Sequence, residues 1–341
     1  MKSFLISATD AGQRFDKYLV RLLPGAGKSF LYKMLRKKNI VLNGAKAEGN
    51  ELLNAGDEVK VFFSDETFEK FSEGKSGDMG AGSNTDSRNV SRFGSNNGNL
   101  LERMPKVVFE NEHILAIDKP AGLLSQKAED SDVSAVEYVA AYLKNKGMEQ
   151  GLKPSVSNRL DRNTSGLLLA GKTGFGQREL AKMLRDRTVE KYYLCIVEGE
   201  IKTAGREESF LTKDESTNKV TIDKEQGAER IITVYRPISA TKLGTLLEVE
   251  LITGKSHQIR AQMAAVGHPI AGDSKYGNRE YNTQMRERFG IKRQMLHAWR
   301  MVFPKLTGPL EDVSEKEIKT ELPQEIEHFC KAFGIVFQEN G

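Results

Sequence analysis

The sequence of 341 residues predicts an α+β protein with two domains. A small basic α/β module is expected first, joined by a flexible linker to a larger domain with a large mixed, mainly antiparallel sheet. Three observations predict this organisation: a Gly-, Ser- and Asn-rich stretch divides the chain, amphipathic helices precede it, and strand patterns outnumber helix patterns after it. The predicted bounds are 1–63 for the small domain, 64–104 for the linker, 105–310 for the large domain, and 311–341 for an acidic C-terminal helix and tail.

The small domain shows two helices and then a short sheet. Residues 15–23 carry apolar side chains at i, i+3, i+4, i+7 and i+8, which predicts an amphipathic helix. A second helix is expected from about Ser29, with basic residues on its polar face. The apolar residues 40–42 lead into Asn43-Gly44, a hairpin signal, and residues 58–63 alternate as a half-buried strand does.

The predicted linker has a composition that does not support a core. Of the 28 residues at 72–99, 17 are Gly, Ser or Asn. Such a stretch cannot bury enough apolar surface to offset the entropy of ordering it, so we expect it to be flexible.

The larger domain is dominated by strand patterns. A helix is expected over 178–187, and Ser256 is a candidate N-cap for another helix that ends at Gly267. The predicted strands are 107–109, 113–117, 189–197, 230–239 and 245–252.

Composition excludes several classes of protein. Hydrophobic residues make up 38% of the chain and charged residues 29%, and no apolar run approaches the ~18 residues of a membrane span. Cys195 and Cys330 are too few for a disulfide framework or a cysteine-based zinc site. The N-terminus turns polar too early for a signal peptide, so the cytoplasm is the expected location.

The net charge of +4 is distributed unevenly. Residues 1–63 hold 11 basic and 6 acidic side chains, whereas residues 311–341 hold 3 basic and 8 acidic ones. A basic N-terminal module indicates either an anionic partner such as nucleic acid or simply a lysine-rich solvated surface, and charge alone does not decide between them.

A match to the P-loop pattern and the histidines of the chain both give little support for a functional site. Residues 166–173 match the P-loop pattern GxxxxGK[ST], but the interior residues are Leu, Leu, Leu and Ala, which are typical of a buried strand and not of a phosphate-binding loop. The histidines lack the close spacing of zinc ligands and are expected to be surface or hydrogen-bonded structural residues. They are His113, His257, His268, His297 and His328.

The segment 157–166, SNRLDRNTSG, places Asp161 between two arginines just before an apolar strand. Taken alone, Asp161 could be a turn residue whose side chain accepts hydrogen bonds from the N–H groups of Asn163 or Thr164.

The wider pattern favours a catalytic role, because Asn158–Gly166 resembles HRLDxxTSG, the active-site motif of the RluA family of RNA pseudouridine synthases. Four further segments resemble motifs of that family in the same order. They are Ile114–Leu123, Val189–Gly199, Thr253–Arg260 and the turns between Gly267 and Gly277. The large domain is therefore identified as a pseudouridine synthase catalytic domain.

The resemblance implies an isomerisation that breaks the N1–C1′ bond of uridine and rejoins the uracil through C5, without cofactor or metal. It makes Asp161 the nucleophile or initiating base, Arg260 its ion-pair partner, and Tyr193 the residue that stacks on the uracil and can accept the C5 proton. It also makes Arg159 the side chain that fills the RNA stack when the uridine is flipped out, with Arg162 as an additional RNA contact.

The first domain resembles the S-four-type RNA-binding domain over residues 14–63. In that family the basic second helix and the loop after it face RNA phosphates. The side chains that inherit this role are Lys28, Lys33, Arg36, Lys37 and Lys38.

Three residues depart from the RluA-family pattern. Asn158 stands where His is most common, Lys255 replaces the commoner Arg, and Gln262 stands where His is common. Neighbouring Tyr192 is expected to point to the opposite face of its strand, into the core.

The sequence therefore predicts a monomeric enzyme that isomerises uridines in RNA, with large-subunit ribosomal RNA or its assembly intermediates as the expected partner. The alternatives are a catalytically silent ribosome-associated RNA-binding factor and an NTPase that depends on Lys172.

Overall fold

The computed structural model describes residues 1–72, 97–148, 153–214, 219–223 and 229–335. The chain forms two compact units. The smaller comprises Met1–Met104, Ala140–Ser155 and Gly171–Arg178, and the larger comprises Pro105–Val139, Val156–Ala170 and Glu179–Gly341. In the part of the chain so described, no helix combines the length and apolar character needed to span a bilayer.

The smaller unit contains a four-stranded antiparallel sheet in the order β1-β4-β2-β3. Its elements are β1 (Lys2–Leu5), α1 (Phe15–Leu22), α2 (Lys28–Arg36), β2 (Ile40–Leu42), β3 (Ala45–Lys46), β4 (Glu58–Val61), α3 (Asp65–Ser72) and α4 (Asn97–Glu102). The two predicted helices, the hairpin at Asn43-Gly44 and the strand near residue 58 are all present. Phe15 and Leu19 of α1 pack with Leu31 of α2 and Val59 of β4 in one apolar core.

The described parts of the segment predicted to be a linker, 64–104, include the two helices α3 and α4. Its first residues form α3, and Phe68 of that helix joins the core of the smaller unit. The sequence prediction missed this helix because only Phe68 and Phe71 stand out as apolar there. Residues 73–96, the centre of the predicted linker, lie outside the described residues.

Within the described ranges the larger sheet has ten strands, nine of them in the order β10-β9-β11-β12-β8-β13-β7-β6-β5, with β14 paired to β13. The strands are β5 (Val107–Glu110), β6 (Ile114–Lys119), β7 (Ser165–Gly171), β8 (Glu190–Glu198), β9 (Gly205–Asp214), β10 (Lys219–Asp223), β11 (Glu229–Ala240), β12 (Gly244–Leu251), β13 (Leu296–Val302) and β14 (Glu317–Lys319). Pairing is parallel between β13 and β7 and antiparallel in the other registered pairs. The prediction of a large mixed, mainly antiparallel sheet is confirmed.

The remaining helices are α5 (Ala135–Asn145), α6 (Gly174–Arg185), α7 (Gln258–Ala265), α8 (Arg279–Phe289) and α9 (Gln324–Ala332), and Gly308–Val313 form a 3-10 helix. Two helix starts differ from prediction. Helix α6 begins at Gly174 and not near Arg178, because the Thr173 hydroxyl accepts the Gly176 N–H at 3.0 Å and caps it. In helix α7 the N-cap position is held by His257 and not by Ser256, and the His257 side chain makes no capping hydrogen bond.

β7 shows why the P-loop interpretation fails. All seven residues from Ser165 to Gly171 are buried, so this glycine-bounded segment is a central strand of the core. Gly166 has a φ of +111°, and a Cβ atom there would lie 2.1 Å from the Ala298 carbonyl oxygen of β13. Glycine is therefore needed for close packing at the parallel pair and not for binding a phosphate.

The C-terminal segment, predicted as a separate acidic helix and tail, belongs to the larger unit. Ile326 and Phe329 of α9 are fully buried and pack with Met285 and Phe289 of α8. The described acidic residues of the segment are exposed or half-buried, whereas its buried apolar residues complete this core.

A buried histidine links β7 and β13. Nδ1 of His297 lies 2.9 Å from the Ser165 hydroxyl, and Nε2 lies 2.6 Å from that of Thr320. Burial, with a smaller contribution from Arg293, lowers the pKa of His297 to about 3. The imidazole is therefore neutral in the folded protein across the range in which an unfolded histidine takes up a proton.

Acid is expected to destabilise the fold through this histidine. Below about pH 6.5 the unfolded chain binds a proton at His297 that the native state does not, so stability falls until the pH approaches 3. We expect His297→Gln to reduce the slope of unfolding free energy against pH by up to about 1.4 kcal/mol per pH unit. Urea unfolding at pH 7.0, 5.5 and 4.5 measures it, and parallel curves for the two proteins would contradict the assignment.

Candidate active site

The predicted catalytic residues line one pocket of about 670 Å³ in the larger unit. Asp161 enters it from the loop before β7, Tyr193 from β8 and Arg260 from α7, and Arg159 also lines it. These side chains are far apart in sequence, so it is the sheet and the packed helix that bring them together.

Asp161 directs its side chain into the pocket and not into its own turn. Its backbone carbonyl accepts the Thr164 N–H at 3.0 Å, which forms the turn. Its carboxylate oxygen Oδ2 accepts a hydrogen bond of 2.8 Å from Nη1 of Arg260. The side chain is 23% exposed, so the carboxylate is both accessible and paired with a cation. The alternative of a simple turn residue does not describe this geometry.

Arg260 is held by a second carboxylate behind it. Its Nε and Nη2 donate to the two oxygens of Asp273 at 2.6 and 2.9 Å, and Asp273 is fully buried. Asp273 also accepts the N–H groups of Lys275 and Tyr276. Burial opposes the charge on Arg260, but the bonds and charges of the two carboxylates outweigh it and raise the pKa of the guanidinium. The arginine is thus fixed in one orientation, with Nη1 directed at Asp161.

Buried amides fix α7 against the sheet. Gln258 accepts the Thr253 hydroxyl at 2.9 Å and donates to that of Thr233 at 3.0 Å. Gln262 accepts the Thr233 hydroxyl at 2.6 Å and donates to that of Ser209 at 3.0 Å. Gln262, one of the departures from the family pattern, is therefore fully used in positioning the helix that carries Arg260.

His257 lies beside Asp161 and was missed as a site residue by sequence reasoning. Its Nε2 is 3.8 Å from Oδ2 of Asp161, and its Nδ1 is 3.0 Å from the Tyr276 hydroxyl. That hydroxyl also accepts the Val220 N–H at 2.9 Å, which holds the tyrosine in place beside the imidazole. Burial lowers the pKa of His257, so a neutral imidazole faces the carboxylate. The sequence feature that could have identified it is its place in Ser256-His257-Gln258, within the family-like segment that contains Arg260.

Lys119 braces the loop that carries Asp161. Its fully buried ammonium donates to the carbonyls of Pro120, Leu123 and Arg162 at 3.0, 2.8 and 3.2 Å. Burial lowers its pKa to about 8, while the charge of Asp161 acts in the opposite direction. Lys119 thereby ties the turn after β6 to the residue that follows Asp161.

The side chains of the two adjacent tyrosines point to opposite faces of β8, as predicted. Tyr193 is buried and faces the pocket, and burial together with the charge of Asp161 raises the pKa of its hydroxyl. Tyr192 faces the opposite side of β8, where its ring stacks 3.7 Å from the Arg300 guanidinium. Tyr192 is half-buried and its hydroxyl donates to Glu190 at 2.7 Å, so it lies at the edge of that core and not inside it.

Cations border the pocket. Arg159 is exposed, and Lys127, Arg187, Lys191 and Lys255 also contribute to the lining. Lys255 pairs with Glu229 at 2.5 Å.

Two further residues of the Asp161 motif form hydrogen bonds with backbone groups, and of these Asn158 lines the pocket whereas Arg162 does not. Arg162 is exposed and donates to the Gly122 carbonyl at 3.3 Å. Asn158, which replaces the common histidine, instead pairs its amide with the backbone of Leu167 and Leu169 in β7.

The five basic residues predicted to bind RNA lie in the smaller unit. All are exposed, on α2 or just after it, and none forms an ion pair with an acidic residue in the described part of the chain. They are Lys28, Lys33, Arg36, Lys37 and Lys38. Their role in RNA binding stays a prediction, as does the identification of this unit as S-four-type.

The described residues contain no group of three or more His, Cys, Asp or Glu side chains arranged to hold a metal ion. The chemistry available in the pocket is that of a paired carboxylate, a neutral imidazole and a buried phenol.

Comparison with known proteins identifies the family. Residues 113–265, which carry Asp161, Tyr193 and Arg260, match the family described as RNA pseudouridylate synthase. The chain is 30% identical over 319 residues to the ribosomal large subunit pseudouridine synthase C of Vibrio cholerae, covering 92% of this chain and 90% of that one. This chain belongs to the RNA pseudouridylate synthase family. It is an RNA pseudouridine synthase, an isomerase of uridine in RNA.

A further relative and a solved structure are also similar to this synthase. An uncharacterized RNA pseudouridine synthase of Mycoplasma genitalium is 29% identical over 313 residues, covering 89% of each chain. The structure of human RNA Pseudouridylate Synthase Domain Containing 4 matches 71% of this chain and 98% of its own with a TM-score of 0.55 and 21% identity, which is a likeness of fold. The predicted pseudouridine synthase fold and enzyme class are confirmed.

Proposed function

We propose that this synthase converts specific uridines of large-subunit ribosomal RNA to pseudouridine, with Asp161 as the nucleophile. The observation that carries the catalytic part is the accessible Asp161 carboxylate, which Arg260 holds at 2.8 Å. The substrate part is supported by the names of relatives such as the ribosomal large subunit synthase of Vibrio cholerae. No co-reactant is needed, because product and substrate are isomers.

The reaction balances within the substrate. The Asp161 carboxylate attacks C1′ of the ribose as the N1–C1′ bond breaks, and the released uracil turns while the pocket retains it. C5 then attacks C1′ and displaces the carboxylate, C5 loses its proton, and N1 gains one. Arg260 stabilises the negative charge of Asp161 before attack and after release, and the bidentate bond to Asp273 keeps it in place.

A uridine in structured RNA must leave its stack to reach Asp161, at a cost of a few kcal/mol. We propose that Arg159 enters the vacated position. Its exposed side chain lies at the pocket, two residues before Asp161, so a base drawn toward the carboxylate leaves its gap near this guanidinium.

Tyr193 is proposed to stack on the flipped uracil. Because its pKa is raised, its hydroxyl holds its proton at neutral pH and must release that proton before it can accept one from C5. We expect Tyr193→Leu to lower kcat/KM by about 10- to 100-fold, the value of one stacking contact, and Tyr193→Phe to lose less because it keeps the ring. Equal losses in single-turnover assays of both variants would instead assign the role to the hydroxyl.

The smaller unit is proposed to be an S-four-type module that binds RNA phosphates through α2. Replacing Lys33, Arg36 and Lys37 together with Gln should weaken RNA binding and reduce the slope of log K against log salt by about 2, or ~0.7 for each phosphate contact. Binding measured between 50 and 300 mM KCl tests this prediction.

The matched control for the salt series replaces three exposed lysines of the larger unit with Gln. They are Lys202, Lys242 and Lys305. An equal fall in slope for both triple variants would leave α2 without a special role.

The function as a whole is tested by mapping pseudouridine in unmodified large-subunit rRNA after incubation with the purified enzyme, using carbodiimide and alkali followed by primer extension. New stops with the wild type and none with Asp161→Asn are expected. Stops only on transfer RNA would overturn the proposed substrate while leaving the enzyme class intact. No stops on any RNA would favour a catalytically silent RNA-binding factor.

A further inference from the structure

Lys191 is a buried cation in the active-site pocket to which neither the motif nor the mechanism assigns a role. It lies on β8 two residues before Tyr193, so the two side chains leave the strand on the same face. The residue is 8% exposed and lines the pocket. Among the described residues, its ammonium has neither an acidic partner nor a hydrogen-bond acceptor.

The other buried cations of the site are compensated. Arg260 has two carboxylates, and Lys119 has three backbone carbonyls. Lys191 has instead a second cation, Arg187, which lines the same pocket. Burial first, and the charge of Arg187 second, lower the pKa of Lys191. A largely buried ammonium that lines the pocket beside a like charge, with no carboxylate in the described part of the chain to compensate it, lowers the stability of the free enzyme.

An anion in the pocket would offset both the burial of the Lys191 charge and its repulsion by Arg187. Arg187 is exposed and stands in the left-handed region, with a φ of 59°, at the turn between α6 and β8. A phosphodiester provides two non-bridging oxygens, which can accept from one ammonium and one guanidinium together. RNA brings such a group next to every nucleotide that enters the pocket.

We propose that Lys191 and Arg187 form a phosphate subsite that binds one phosphodiester flanking the target uridine. The subsite rests on the proposed function only in that the pocket receives a uridine of an RNA strand. It sets the register of the strand against Tyr193 and Asp161, because the phosphate is bound on the same face of β8 as the tyrosine.

The test uses short oligoribonucleotides built around whichever uridine the wild-type enzyme converts in the mapping experiment, on ribosomal or transfer RNA. Each phosphate within three positions of that uridine is replaced in turn by an uncharged methylphosphonate. Single-turnover kcat/KM and the dissociation constant are measured for wild type, Lys191→Met, Lys191→Arg and the surface control Lys242→Met. Because the oligonucleotide follows the mapped uridine, failure of the ribosomal substrate does not affect the result.

One methylphosphonate position should lower the wild-type kcat/KM by about tenfold or more, the scale of a charge-assisted bond. On unmodified RNA, the kcat/KM of Lys191→Met should be lower than that of wild type by the same factor. The methylphosphonate at that position should cause no further loss in Lys191→Met, whereas methylphosphonates at the other positions should affect it as they affect wild type. Lys191→Arg should recover most of the loss, and Lys242→Met should behave as wild type.

The subsite would be overturned if every methylphosphonate lowered kcat/KM by the same factor in Lys191→Met as in wild type. It would also be overturned if Lys191→Met had the wild-type kcat/KM. A loss that no methylphosphonate reproduces would assign Lys191 to a uracil carbonyl instead. Thermal unfolding of the free enzyme gives a second readout that does not depend on RNA. Lys191→Met should unfold at a higher temperature than wild type, because it removes an uncompensated buried charge, and a lower unfolding temperature would show that Lys191 has a partner in the free fold.

Discussion

Asp161→Asn is expected to lower turnover by at least about 10⁴-fold, the scale on which removal of a catalytic nucleophile acts. The amide cannot attack C1′, yet it has nearly the same shape as the carboxylate and still accepts a hydrogen bond from Arg260. RNA affinity should be unchanged or slightly higher, since the substitution removes a negative charge from a pocket bordered by cations. Single-turnover conversion and equilibrium binding, measured on the same RNA, separate the two effects.

The matched control for this substitution is Asp130→Asn, at an exposed aspartate outside the pocket. It should retain wild-type turnover and binding. Turnover within tenfold of wild type in Asp161→Asn would show that another group initiates the reaction, and loss of binding together with turnover would point to a damaged pocket.

Asp273→Asn is expected to affect both stability and catalysis. The amide cannot accept two bonds from Arg260, so a guanidinium that is 5% exposed loses half of its compensation. Breaking a buried ion pair in this way costs about 3 to 5 kcal/mol of unfolding free energy. An Arg260 that is free to tilt also misplaces Asp161, and an error of about 1 Å lowers turnover by roughly 100-fold.

Urea unfolding and single-turnover kinetics test the two parts of this prediction. If turnover is lost only through unfolding, a stabilising solute such as trimethylamine oxide will restore it fully; if Arg260 is misplaced, turnover stays low in a folded protein. A variant of wild-type stability and activity would mean that Asp161 alone holds the arginine.

Local patterns in the sequence predicted much of the fold. Alternation near residue 58, the Asn43-Gly44 turn and the periodicity of residues 15–23 each depend on near neighbours, and each element is present. Elements without a local signature were missed: β1 is short, α3 has few apolar residues, and β9 and β13 were not singled out. Their stability comes from partners distant in the chain, such as β4 for β1 and β8 for β13.

The residues of the candidate site likewise fall into those that a sequence motif predicts and those that it does not. Asp161, Tyr193 and Arg260 were identified through the resemblance of their motifs, and the structure places them in one pocket. Lys119 lies in the segment Ile114–Leu123 that resembles a family motif, but no local pattern shows that its ammonium contacts the Arg162 carbonyl, 43 residues along the chain. Buried contacts of this kind arise only when the turn after β6 packs against the turn before β7.

The parallel pairing of β7 with β13 has a consequence for how the protein folds. Ser165 and His297, which meet there, are 132 residues apart in the chain, and closing so long a loop is slow because its entropy is lost before the contacts form. Asp161 lies just before β7, and Arg260 is carried by the segment between the two strands. Activity is therefore expected to recover during refolding no faster than this long-range pairing forms, and a newly made chain is expected to become active only after β13 has been synthesised.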